Sequence, residues 1–96
     1  MTDREMLEWA AKAAQYSVRF TSDEQCFRVD KDWTGQWNPM TDDGDALRLA
    51  VDLNFLFKHA LLCAVAEEND RCNGDYRAAT RRAIVRVAAG IGMTEA

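Results

Sequence analysis

The segment WNPMTDDGDALRLA, residues 37–50, constrains the fold more than any other stretch. Pro39 is the chain's only proline. It biases Asn38 to extended geometry. Thr41 or Asp42 can then cap a new helix. Asp43 and Asp45 fall in its first turn, where carboxylates meet the positive end of the helix macrodipole. Leu47, Ala50 and Val51 recur at helical spacing, with Leu49 and Leu53 widening the apolar stripe. A capped helix start therefore accounts for the aspartates without a binding role.

A second start signal opens the chain. Thr2 and Glu5 form a capping box, and Met6, Leu7, Ala10, Ala13 and Ala14 follow at helical spacing. This predicts a helix to about Gln15. YSVRF (16–20) and CFRVD (26–30) alternate in polarity around the turn TSDEQ, which predicts a hairpin with Val18 and Phe20 on one face. KDWTGQWNP is a loop with room for a short extended piece between Trp33 and Trp37. ENDRCNGD (68–75) is a second loop, and Asp75 caps a last helix, YRAATRRAIVRVAAGIG, that Gly90 and Gly92 end. On that helix Tyr76, Thr80, Ala83, Ile84, Val87 and Ile91 share one face. Ala78, Val85 and Ala89 form a narrow second apolar line, suited to a helix–helix contact in a homodimer.

Residues 53–67 read two ways. LNFLF favours a strand, whereas ALLCAVAEE suits strand or helix. A helix can continue straight through, or a hairpin can place the odd-numbered residues on one face. No strong turn signal stands near Lys58 and His59.

Ninety-six residues make a single domain of residues 1–96, large enough for a modest core without staples. No apolar run reaches the ~18 residues of a membrane span, and MTDREMLEWA lacks the apolar stretch of a signal peptide. The expected location is the cytoplasm. Three cysteines, Cys26, Cys63 and Cys72, are then reduced thiols. A net charge of −4 argues against a general nucleic-acid binder but leaves room for a local basic face.

Two segments, WNPMTDDGDALRLAVDL and YRAATRRAIVRVAAGIG, resemble a group of small proteins of unknown function encoded in tailed bacteriophages and prophages. In that group a W-N-P-[LM]-x-D-D-G-D-A-L-R-L-A segment precedes a C-terminal R-A-A-I-V-R-type helix. The capping box and the A-A-K-A-A run fit as well, so the resemblance covers most of the chain. It implies a phage or prophage origin and a bacterial host. It also implies a strand-like stretch between the two later helices, although the alanine-rich end of this chain's segment departs from that. The expected fold is α+β in the order α-β-β-α-β-β-α, with two antiparallel hairpins forming a small sheet and helices mainly on one face.

Chemistry is sparse. DKDWTG (30–35) echoes half of an EF-hand loop, but Thr41 stands where a bidentate glutamate belongs. Cys26, His59, Cys63 and Cys72 lack zinc spacing. No nucleophile elbow or P-loop occurs. The expectation is a non-enzymatic protein without metal or cofactor. It would act by contact with a host or phage protein and modulate a host or defence factor. Trp33 and Trp37 can both cover the open edge of a small core, or at least one is a partly exposed contact residue, ringed by Asp30, Asp32, Asp42, Asp43 and Asp45, because tryptophan is enriched at interface hot spots. The alternative is nucleic-acid binding through Arg77, Arg81, Arg82 and Arg86 on the last helix.

Overall fold

A computed structural model describes residues 1–31 and 34–95. The elements are α1 (Asp3–Ala14), β1 (Val18–Phe20), β2 (Cys26–Val29), β3 (Thr34–Gln36), α2 (Asp43–Asp52), α3 (His59–Arg71) and α4 (Tyr76–Glu95). The class is α+β. Helix starts follow the local chemistry of the chain. The Glu5 N–H donates to the Thr2 hydroxyl at 3.1 Å, and the Thr2 N–H donates to the Glu5 carboxylate at 3.2 Å. The Thr2 N–H and then the Thr2 hydroxyl, both donating to it, hold the Glu5 carboxyl below its ordinary pKa. Asp42 caps α2, and Asp75 accepts from the Ala78 N–H at 3.2 Å to cap α4.

Helices α1, α2 and α3 end alike. Gln15, Asn54 and Asn73 each adopt a left-handed backbone. The next N–H, from Tyr16, Phe55 or Gly74, then bonds back to Ala11, Ala50 or Asn69. This is the Schellman closure of a helix end. At α2 it is decisive, because Asn54 stops the helix and turns Phe55 into the core.

The turn at residues 53–58 overturns the expected second hairpin. LNFLFK forms turns, and HALLCAVAEENDR forms α3, so there is neither a strand pair nor one continuous helix over 53–67. The alanine-rich segment has high helical propensity, and as a helix it buries Leu61, Ala64 and Glu68 against α4. The third strand comes instead from the loop. β3 pairs antiparallel with β2, so that the sheet is a meander in the order β1-β2-β3. Phe27 faces Arg19 on one side and Gln36 on the other. Val18 and Phe20 pack on the core from β1, as their alternation predicts.

The long helix α4 packs on α1, α2 and α3. Its buried side is broader than the predicted stripe and consists of Ala79, Ala83, Ile84, Val85, Ala88, Ala89 and Gly92. Val85 and Ala89, read as half of a dimer seam, are covered by the chain itself. Small residues from both helices line the seam with α1, where Ala10, Ala11 and Ala13 are also buried. Gly92 does not end the helix, contrary to expectation. A Cβ built there would lie 2.1 Å from the Trp9 carbonyl oxygen, so its lack of a side chain sets how closely α1 and α4 approach. Gly90, by contrast, faces open space.

These two glycines give a paired prediction. Gly92→Ala forces the seam apart and costs about 1–3 kcal/mol. Gly90→Ala gains about 0.5–1 kcal/mol from the reduced backbone entropy of the unfolded chain. Urea unfolding of the two variants should move in opposite directions.

Candidate protein-contact surface

The residues singled out from the sequence are mostly consumed by the fold. Trp37 is 2% exposed and therefore a core residue, so it cannot be the partly exposed anchor that the contact reading asks of Trp33 or Trp37. Its ring meets Tyr16 edge-on with centroids 5.8 Å apart, and Arg28 stacks on the other aromatic of that pair, 3.5 Å from the Tyr16 centroid. Burial, then the hydrogen bond to Asp52, holds the Tyr16 hydroxyl above its ordinary pKa. Trp33 and Asp32 lie outside the described residues. Asp30 pairs with Arg28 at 2.6 Å.

The aspartate cluster divides into three separate roles. Asp42 accepts from the Gly44 and Asp45 N–H groups at 2.8 and 3.1 Å. Asp45 is 4% exposed; it accepts from the Asn38 N–H at 3.0 Å and from Arg48 at 2.7 Å, fastening the WNP turn to α2. Asp43, exposed like Asp42, pairs with Arg81 at 2.7 Å.

Three of the four candidate arginines are likewise engaged within the chain. Arg81 also donates to the Met40 carbonyl at 2.8 Å. Arg82 pairs with Asp3 at 3.3 Å, and Arg86 with Glu67 at 2.6 Å. Arg82 and Arg86 then converge with Arg71 on Glu68, at 3.3–3.4 Å. Glu68 is 2% exposed, and a buried carboxylate requires such partners. Sequence reading passed over it as part of a polar loop. The signal was present: Glu68 continues the helical spacing of Leu61 and Ala64. Arg77 remains exposed, in no ion pair among the described residues.

The thiols do not gather. Cys26 is buried, Cys63 is exposed 3.3 Å from His59 Nε2, and Cys72 is half-buried. Among the described residues no group of three or more histidine, cysteine or acidic side chains could hold a metal ion. Nor is any described helix long and apolar enough to cross a membrane.

What the structure brings together is apolar. Helix α2 buries Ala46, Leu49 and Ala50, leaving Leu47 and Val51 exposed on its outer face. This corrects the predicted stripe, which put Leu47 and Val51 inside. A ten-residue helix carrying Leu47, Leu49, Val51 and two alanines cannot turn all of them to one core. Beside them stand Phe57, 91% exposed on the 53–58 turn, and exposed Tyr76 at the start of α4. A groove of about 320 Å³ runs between α2 and α4, floored by Ala46 and Ile84 and walled by Leu47, Leu56 and Tyr76. Leu56 also lines a second hollow, with Val51, Phe57 and Lys58, so the two share that side chain. Exposed apolar surface of this contiguity marks interaction sites.

No family model matches the chain, and no similar curated protein or solved structure was found.

Two predictions follow from these placements. Trp37→Ala empties the core and costs about 3–5 kcal/mol. Asp43→Lys loses only a dipole contact and an exposed pair, about 0.3–1 kcal/mol. Chemical denaturation of the two variants measures the contrast. Burial, then the Glu8 charge, raises the Cys26 thiol from 9.0 to about 11. The unfolded chain then releases this proton at lower pH than the folded one. The stabilisation is complete below pH 9 and is lost as pH rises towards 11. Cys26→Ala should flatten the stability profile in that window, measured by urea unfolding at successive pH values.

Proposed function

We propose that this chain is a phage or prophage accessory protein that works by binding another protein, through the apolar surface on α2, the 53–58 turn and the start of α4. One observation carries this reading: Phe57 stands 91% exposed with exposed Val51 in one hollow, and Leu56 borders both that hollow and the groove lined by exposed Leu47 and Tyr76. Leaving that much apolar surface in water is unfavourable unless a partner covers it. Aromatic residues at the centre of such a patch are the side chains that anchor interfaces. The phage origin rests on the resemblance of residues 37–53 and 76–92, which also supports action in the cytoplasm of a bacterial host on a host or defence factor.

The arginine helix offers less to nucleic acid. Arg81, Arg82 and Arg86 already hold carboxylates of the same chain, so phosphate contact would require breaking those pairs. A non-enzymatic role fits the described polar groups, which serve as caps, ion pairs and turn closures.

The test is capture of a partner from host lysate by the wild-type protein and by a Val51→Ser/Phe57→Ser variant. Both positions are exposed, so the variant should melt within a few degrees of wild type, on the order of a surface substitution. It should lose the partner. A variant that retains every partner places the contact elsewhere.

A further inference from the structure

The charges around the apolar surface differ from those of the whole chain. The protein carries a net charge of −4. Four charged side chains line the two hollows: Asp43, Lys58, Arg77 and Arg81. Asp43 is neutralised by Arg81 at 2.7 Å. Lys58 and Arg77 are both exposed and enter no ion pair among the described residues. The surface is therefore cationic on an acidic protein.

The positions of these two cations add a second, independent observation. Lys58 is the N-cap of α3 and makes no side-chain capping bond. Arg77 lies in the first turn of α4, which contains no acidic residue. Helix starts favour carboxylates and disfavour cations. Lys58 departs from N-cap preference, and Arg77 places a cation just inside a start that Asp75 caps, beside the same surface. Departures of this kind concentrate at functional sites. The positive ends of α3 and α4 add to the same field.

Resting on the reading of this surface as the contact site, we infer that the α2–α4 groove receives an acidic amphipathic helix from a partner protein. Its apolar residues, spaced i, i+3 or i+4, and i+7, would fill the space between Leu47 and Tyr76. Its flanking aspartates or glutamates would meet Arg77 and Lys58. A groove between two helices, with an apolar floor, is a recurrent seat for such a segment. A second copy fits less well. A two-fold dimer through this surface is self-complementary in position, so it brings the cations of one protomer towards those of the other.

The test uses a display library of random peptides of roughly 16 residues, long enough for four helical turns. Selection is on the wild-type protein with counter-selection on Val51→Ser/Phe57→Ser. Enriched peptides are then titrated by NMR against wild type and against Lys58→Glu/Arg77→Glu. That variant should fold, because both positions are helix starts that favour a carboxylate. The expected result is peptides with helical apolar spacing and net negative charge, which shift the signals of Leu47, Leu56, Phe57 and Tyr76. Affinity should weaken about tenfold or more in the charge-reversed variant and fall with added salt. Peptides that bind at these residues but are neutral or basic, or that ignore the charge reversal, overturn the acidic occupant and leave the contact reading standing. No enrichment over the counter-selected variant, or shifts elsewhere, overturns both. Sedimentation showing a dimer abolished by Phe57→Ser would assign the groove to a second copy instead.

Discussion

The fold depends on how closely α1 and α4 can approach. Alanines face each other along that seam, and at Gly92 the two backbones come within a distance that a single methyl group would violate. Small residues bury little area each, so the seam gains its stability from close packing over its length. It makes α4 a central post. Once α1 lies against it, α2 and α3 have defined faces to cover, and the meander closes the end where Trp37 and Tyr16 meet.

An alanine-rich centre has a consequence for the rest of the chain's apolar residues. Trp37, Leu49, Val85 and Phe55 are inside, but Leu47, Val51, Phe57, Leu62 and Tyr76 are not. A core built around one seam of small side chains and one short sheet cannot take them all without widening the seam. Among the described residues eight large apolar side chains are exposed, and four of them, Leu47, Val51, Phe57 and Tyr76, line the hollows beside α2. Met1, Val29, Leu62 and Met93 lie outside those hollows.

What could be read from the sequence divides by the range of the interaction responsible. Caps are local: Thr2 with Glu5, Asp42, and Asp75 all act within three residues of themselves, and all were legible. The first hairpin was legible because alternation and turn chemistry agree over a short span. The resemblance misled at residues 53–67, where it implied strands. A locally balanced segment was decided instead by the left-handed Asn54 and by the burial of Leu61 and Ala64 on α4. The site was less legible than the fold. Trp37 looked like an anchor because its loop is polar, yet the hairpin supplies Tyr16 to cover it. That the arginines pair with acids of the chain was legible, but Glu68, the shared partner of Arg82 and Arg86, sits in a stretch that composition marks as loop.

The arrangement of charge completes the same argument. Glu68 holds three arginines at the α3–α4 junction, and Asp43 holds a fourth. Those pairs tie α4 to α2, α3 and the chain's first turn through Arg81, Glu68 and Asp3, so they specify how the helices are set around the post. Buried and half-buried pairs of this kind do more for register than for net stability. Arg77 lies one turn before Arg81 on the same helix, yet it enters no ion pair among the described residues. Helix α4 therefore carries two kinds of arginine: those that position it within the fold, and one that stands at the mouth of the apolar groove with its charge unspent. The distinction arises from what α2 and α3 present opposite each position, and it locates the part of the helix still available to another molecule.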